Sequence, residues 1–425
     1  MEVNAGDTAW VLVSAALVLF MTPGLAFFYG GMVRAKNILA MLMQNVFCMG
    51  IVSILWVVVG ASLAFGDDVG GGILGNLGLS GLDGLKVVPG FVNDAGLSAL
   101  TIPPLLFLAY QMMFAIITPA LITGATADRL RFGGYVLFIG LWSVLVYAPV
   151  AHWVFSPGGW LFKLGALDFA GGTVVHINAG IAALVLVLVI GQRKGWPREA
   201  MPPHSLPLTM LGTGILWFGW FGFNAGSALA ANGLAAQAFL NTHLAAAAGM
   251  CSWLLVEKLR DGHATTLGAA SGAVAGLVAV TPCAGFVTAL PAIAIGGIAG
   301  AVCLLAIKLK TRFGYDDALD VVAVHLVGGI LGSVLLGVFA NGAVNPAGAD
   351  GLINGGGATL LGKQVVAVLA TLAFSGVVTF AIAKVVEATI GLRVTPDDEA
   401  VGLDTTEHAE TGYNLTELGS MGRKG

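Results

Sequence analysis

The sequence predicts an all-α polytopic membrane protein with eleven transmembrane helices, in which helices 1–5 and 6–10 form an inverted repeat and helix 11 stands outside it. Three observations predict this. Of 425 residues 57% are hydrophobic and only 10% charged, far from the usage of a soluble domain. The apolar stretches recur at the length, about 20 residues, that a helix needs to cross a bilayer. Lys and Arg are shared unevenly between alternate loops, as they are in membrane proteins with a fixed orientation.

Taken in order, the apolar stretches lie near 9–32, 38–65, 100–126, 133–154, 168–190, 207–229, 236–256, 265–284, 286–308, 320–340 and 361–388. The eighth and ninth come from one run, Ala264 to Ile307, which holds no Asp, Glu, Lys or Arg and is broken at Thr281-Pro282-Cys283-Ala284-Gly285. We divide it there. The first positive charge is Arg34, so the start lacks the basic region of a secretory signal, and Glu2 and Asp7 favour an N-terminus outside the cell. On that topology the inward loops hold Arg34, Lys36, Arg129, Arg131, Arg193, Lys194, Arg198, Lys258, Arg260, Lys308, Lys310 and Arg312. The outward loops hold only Lys86, Lys163 and Lys363, and Lys384, Arg393, Arg423 and Lys424 belong to the C-terminal end. Twelve against three places the N-terminus outside and the C-terminus inside; the expected location is the plasma (inner) membrane.

Five helices per half make the two halves run in opposite senses, the arrangement of an inverted repeat whose pathway lies at the repeat interface near the midplane. Residues 1–392 form the transmembrane domain. The acidic tail, 393–425, reads as solvated disorder. Glycines 268, 272 and 276, and 296 and 300, have the small-xxx-small spacing that lets helix backbones pack closely. The loop 66–99 shows no chemistry, and Trp153 and Trp160 suit an interfacial aromatic belt. Cys48, Cys251, Cys283 and Cys303 lie in apolar stretches without metal-ligand spacing and read as packed thiols. A net charge of -4 with no basic stripe excludes nucleic acid as a partner.

Ionisable residues inside spans are costly and mark functional sites. Of seven histidines, His176, His243 and His325 lie well within spans. His176 follows Asp168 in Asp168-Phe-Ala-Gly-Gly-Thr-Val-Val-His176-Ile-Asn-Ala-Gly, and His325 follows Asp320 in the other half. Two imidazoles at matching places in an inverted repeat point to a shared path, whereas His243 has no counterpart and reads as structural. A neutral imidazole both donates and accepts a hydrogen bond, so the pair suits a small neutral polar molecule. A bare alkali cation would find neither a carbonyl nor a carboxylate ring. Asp168 reads as a helix cap that stays ionised beside the helix N-terminus, or as a carboxylate whose field draws a cation to the outer mouth. Asp320, on the inner side, reads as a cap. Phe114, Phe155, Trp220 and Phe223 can supply aromatic faces to an ammonium-like ion, and Ser227 an acceptor on the face of Phe223.

The Asp168 to Gly180 run, Gly219-Trp-Phe-Gly-Phe-Asn-Ala-Gly-Ser227, Phe27-Phe-Tyr-Gly-Gly-Met-Val-Arg34 and Gly391-Leu-Arg-Val closely resemble the ammonium transporter (Amt) branch of the Amt/Rhesus superfamily. The likeness extends over nearly the whole chain. It implies a homotrimer of eleven-helix protomers in the lipid bilayer, each with its own pore. It implies that His176 and His325 pair in the pore, and that Phe114 and Phe223 form an outer gate. Phe114, Ser227 and the aromatic ending helix 4 would bind ammonium, with Trp220 close by, and Asp168 would aid recruitment and deprotonation. Methylammonium would serve as an analogue, and a PII-type signalling protein would bind the cytoplasmic face. One departure stands out: where relatives commonly carry a second tryptophan, this chain reads His152-Trp-Val-Phe155, and Phe is the weaker cation–π partner.

The expected function is therefore ammonium transport: outer recruitment, deprotonation, and conduction of ammonia past two histidines, with net charge movement favoured by the resemblance. The alternative is an ammonium sensor with little flux, against which a tail of about 33 residues offers no recognisable output module. A metalloenzyme lacks a His-Glu-x-x-His run or a third ligand, no cofactor is implied, and a carbon dioxide channel is a minor transport alternative.

Overall fold

The structure is a computed structural model that describes residues 2–94 and 97–413. Its architecture is a bundle of eleven membrane helices, of which ten are long and apolar enough to span and one is shorter. They are α1 (Ala5–Met32), α2 (Ala35–Phe65), α3 (Pro104–Thr126), α4 (Phe132–Leu164, whose main helix ends at Phe155 and is followed by a turn and a short helix, Trp160–Leu164), α5 (Gly172–Ile190), α6 (Leu206–Ala228), α7 (Gly233–Asp261), α8 (Thr266–Val280), α9 (Ala289–Phe313), α10 (Val322–Phe339) and α11 (Thr359–Thr389). Short polar residues start several of them. Asn4, Ser205, Asn232 and Thr265 each accept a backbone N–H of the first turn of α1, α6, α7 and α8, satisfying donors that a helix leaves orphaned. Fifteen residues make α8 about 22 Å long, short of the roughly 30 Å hydrocarbon layer. A buried turn at 281–286 follows it before α9 begins at Ala289, so the division of the long apolar run at Pro282 holds.

We call the side where α1 begins the first face and the side where it ends the second. Close glycine contacts fix the packing between the halves and within the second half. A Cβ on Gly212 of α6 would lie 2.2 Å from the Phe28 nitrogen of α1, and one on Gly219 would lie 2.2 Å from Met21. Gly276 of α8 and Gly296 of α9 meet the Ala245 carbonyl of α7 at 2.1 and 2.2 Å in the same sense. These small residues serve helix packing, as their spacing predicts.

Four expectations need correction. Asp320 does not cap α10: its backbone is left-handed at φ 62 and its carboxylate pairs with Lys310 Nζ at 2.6 Å. The cap is Asp317, which accepts the Val321 and Val322 amides at 3.1 and 2.7 Å. Trp153 is no interfacial anchor, since it is buried against Phe374 with its Nε1 donating to the Ile73 carbonyl at 2.8 Å. Cys251 faces outward, unlike the three buried thiols. The first part of the tail is folded: α12 (Pro396–Val401) and α13 (Leu403–His408) follow a capping box at Thr395 and Asp398. Glu399 in α12 receives Arg393 and the Lys194 amide, and Asp404 in α13 receives the Ala40 amide. Arg423 and Lys424 lie outside the described residues.

Candidate functional site

The two repeats meet where α5 and α10 cross. Each carries the same register: an aspartate eight residues before its histidine and a glycine four after it, Asp168-His176-Gly180 and Asp317-His325-Gly329. The glycines permit the crossing. A Cβ on Gly180 would lie 2.5 Å from the Leu326 nitrogen, and one on Gly329 would lie 3.1 Å from the His176 Cβ. Both histidines sit in π-helical turns, Gly172–Ile177 and Val322–Val327, irregularities that recur at functional sites. The outcome is contact between the rings: His325 Nδ1 and His176 Nδ1 are 3.2 Å apart, with centroids at 5.3 Å. One nitrogen must donate and the other accept.

Trp220 stacks on His176 at 5.5 Å and is held by its Nε1–H bond to Thr281 Oγ1 at 2.9 Å. With Phe223, Met21, Leu25 and both histidines it lines a narrow cavity of ≈ 10 Å³, about the room that one water-sized molecule needs. His176 Nε2 is buried there without a partner. The lining is otherwise apolar.

A second cavity, ≈ 190 Å³, opens on the first face and is lined by Phe114, Phe155, Asp168 and Ser227. Phe114 belongs to this vestibule and Phe223 to the inner cavity, and their rings, 4.4 Å apart and tilted by 51°, divide the two spaces. Ser227 Oγ donates to the Phe223 carbonyl at 2.9 Å and lies 3.2 Å from the Tyr110 hydroxyl; its oxygen keeps acceptor capacity for an N–H donor. Asp168 is committed to its own chain. It accepts the Gly171 and Gly172 amides at 2.7 Å each, the Thr173 amide at 2.8 Å, the Val174 amide at 3.4 Å and the Thr173 hydroxyl. Burial pushes its carboxyl up from the ordinary carboxylate range, and the Thr173, Gly172 and Gly171 donors pull it back.

All eight residues singled out in the sequence therefore line one of two adjoining cavities. His243 does not: it lies on the exposed side of α7 against Trp217 and Phe221. The vestibule also includes Phe91, Phe107, Gln111 and Phe169, which the sequence reading did not select. Phe107, Gln111 and Phe114 stand at i, i+4 and i+7, a helical face that was there to be found.

Comparison with known proteins gives one consistent picture. The model of the Ammonium Transporter Family matches residues 9–413. An ammonium transporter of Mycobacterium tuberculosis is 53% identical, with 97% of this chain and 91% of that protein covered. The crystal structure of Saccharomyces cerevisiae Mep2 superposes with a TM-score of 0.84 at 36% identity, covering 93% of this chain and 91% of that one. A structure described as a sensor Amt protein gives a TM-score of 0.84 at 29% identity, covering 95% of this chain and 98% of that one.

Proposed function

Because the chain belongs to the Ammonium Transporter Family, we propose that it carries ammonium by binding the ion in the vestibule and passing ammonia between His176 and His325. The contact between those rings, from opposed repeats beside a cavity of ≈ 10 Å³, is the observation that carries this reading. The basic loops make the second face cytoplasmic and the first face the outer one. Ammonium enters from the first face and exchanges hydration for the rings of Phe114 and Phe155 and the Ser227 oxygen. The ion gives its proton to vestibule water before the tilted Phe114–Phe223 pair opens, because a bare charge in the apolar cavity beyond has no partner to offset its lost hydration; on the family likeness the proton then crosses apart from ammonia and rejoins it on the second face, which makes the net charge movement. Potassium has no proton to lose and stops there. Inside, the imidazoles offer ammonia one donor and one acceptor. Asp168, satisfied by amide donors, supports this mainly by fixing the start of α5 and by its negative field at the vestibule. A homotrimer and a regulatory protein of the PII type at the cytoplasmic face complete the reading, on the family likeness.

Purified protein in liposomes tests it. We expect ammonium and methylammonium to produce flux with accompanying current, and potassium to produce neither. Binding of methylammonium without flux would instead favour a sensor, the reading suggested by the description of one structural neighbour. The departure at Phe155 gives a further expectation. Phe155→Trp supplies a stronger quadrupole to the same vestibule and should lower the methylammonium KM by about two- to fivefold, the effect of ~0.5–1 kcal/mol of cation–π energy, with maximal rate little changed. Uptake kinetics of the two proteins side by side decide this.

A further inference from the structure

The last turn of α4 before Phe155 holds a histidine whose hydrogen bonds do not fit a neutral ring. His152 is fully buried; its Nδ1 lies 2.9 Å from the Ala64 carbonyl oxygen and its Nε2 3.2 Å from Asp68 Oδ1. A carbonyl and an ionised carboxylate both only accept. Neutral imidazole has one N–H and one bare nitrogen, so it would point a lone pair at one of them. The Asp68 oxygens already face donors elsewhere: Oδ1 also accepts the Gly72 amide at 2.7 Å and Oδ2 faces Lys163 Nζ at 3.9 Å, with the side chain 23% exposed. Among the described residues the ring pairs with Asp68, and Lys163 lies beyond it against the other Asp68 oxygen.

The contact ties two pieces together. Asp68 begins a small hairpin, β1 (Asp68–Val69) paired with β2 (Leu74–Gly75). Its turn is seated on the residues flanking Phe155: Trp153 Nε1 donates to Ile73, and the Trp160 amide donates to Gly72 at 3.1 Å. Between them the chain turns so tightly that a Cβ on Gly159 would sit 2.0 Å from the His152 carbonyl oxygen. Phe155, three residues beyond His152, is held in the vestibule wall by this clamp.

We infer that His152 is a positioning residue for the outer site: as an imidazolium donating to Ala64 and Asp68, it locks the hairpin onto the end of α4 and sets the place of Phe155. The inference rests on the transport reading for its effect on ammonium and on geometry alone for the charge. Both neighbours of the ring accept, so the docked arrangement is satisfied when both ring nitrogens carry a proton and loses one hydrogen bond when either is bare.

Two measurements test this. In protein labelled with nitrogen-15 at histidine, the His152 signals, assigned by their loss in His152→Gln, should show both ring nitrogens protonated. A bare nitrogen there overturns the inference. Methylammonium uptake in liposomes is then compared for the parent and Asp68→Asn from about pH 6 to about 8.5. The asparagine amide donates to a bare Nε2, so a neutral ring is satisfied at every pH. The parent KM should rise about fivefold relative to that variant across the range, the loss of one charge-assisted hydrogen bond, with the ratio of maximal rates steady. Parallel profiles overturn the inference. A parent that carries no methylammonium defeats the transport reading, and the nitrogen spectrum still decides the charge.

Discussion

Replacing both pore histidines, His176→Ala with His325→Ala, should reduce methylammonium uptake by roughly ten- to a hundredfold while the protein still folds. The size follows from what ammonia loses. A small polar molecule in an apolar cavity without hydrogen-bond partners is raised in free energy by about 1–3 kcal/mol, close to one to two powers of ten in rate. Folding should survive because the helix crossing depends on Gly180 and Gly329 and on the Asp168 and Asp317 caps, none of which the substitution alters. Trp220 loses its stacking partner but keeps Thr281. Uptake in liposomes, with size-exclusion profiles to check the fold, decides the matter. A double variant that matches the parent removes the histidines from the mechanism.

How much of this was legible in the sequence differs by element. The spans were, because apolar runs of the right length have few other fates, but their ends were not. The stretch read as 236–256 is a helix over Gly233–Asp261, since Glu257, Lys258 and Arg260 are good helix formers that carry α7 on into water. The histidine pair was legible from its repeat position. Its cap in the second half was not, because Asp320 is nearer the apolar run; the eight-residue offset shared with Asp168 would have chosen Asp317. The π-helical turns left no trace, as one extra residue in a wholly apolar helix shifts no visible period. Phe91 reaches the vestibule from a loop whose path depends on long-range packing. The folded part of the tail escaped a reading by composition because its acids are buried partners: Glu399 and Asp404 are 1% and 2% exposed.

Those acids belong to a larger network on the second face, and its centre should be the most sensitive point of the fold. Asp316 is fully buried and takes both arms of Arg193, at 2.8 and 2.9 Å, together with the Arg193 amide. Arg193 also faces Asp128, and Arg129 binds the Asp316 carbonyl oxygen and the Gly191 carbonyl. Burial works against the Asp316 charge, but the hydrogen bonds and charge of Arg193, with the charge of Arg129, outweigh it and hold the carboxyl below its usual range. A depressed carboxylate contributes stability above its unfolded value, near pH ~4, and loses it as pH falls through the folded one; the pair is therefore intact at neutral pH. Arg193→Ala leaves Asp316 charged, buried and short of its main partner, at a cost of about 3–5 kcal/mol. Arg193→Lys keeps a charge but loses the fork that meets both oxygens. Because Asp316 precedes the Asp317 cap, the disturbance should reach the start of α10 and, through it, His325. We expect Arg193→Ala to lower the melting midpoint in detergent sharply and to cut uptake by more than the loss of folded protein. Adding Asp316→Ala removes the stranded charge and should recover part of the midpoint. If the double variant is as unstable as the single one, the unpaired aspartate is not the cause, and the loss lies in the packing of Arg193 alone.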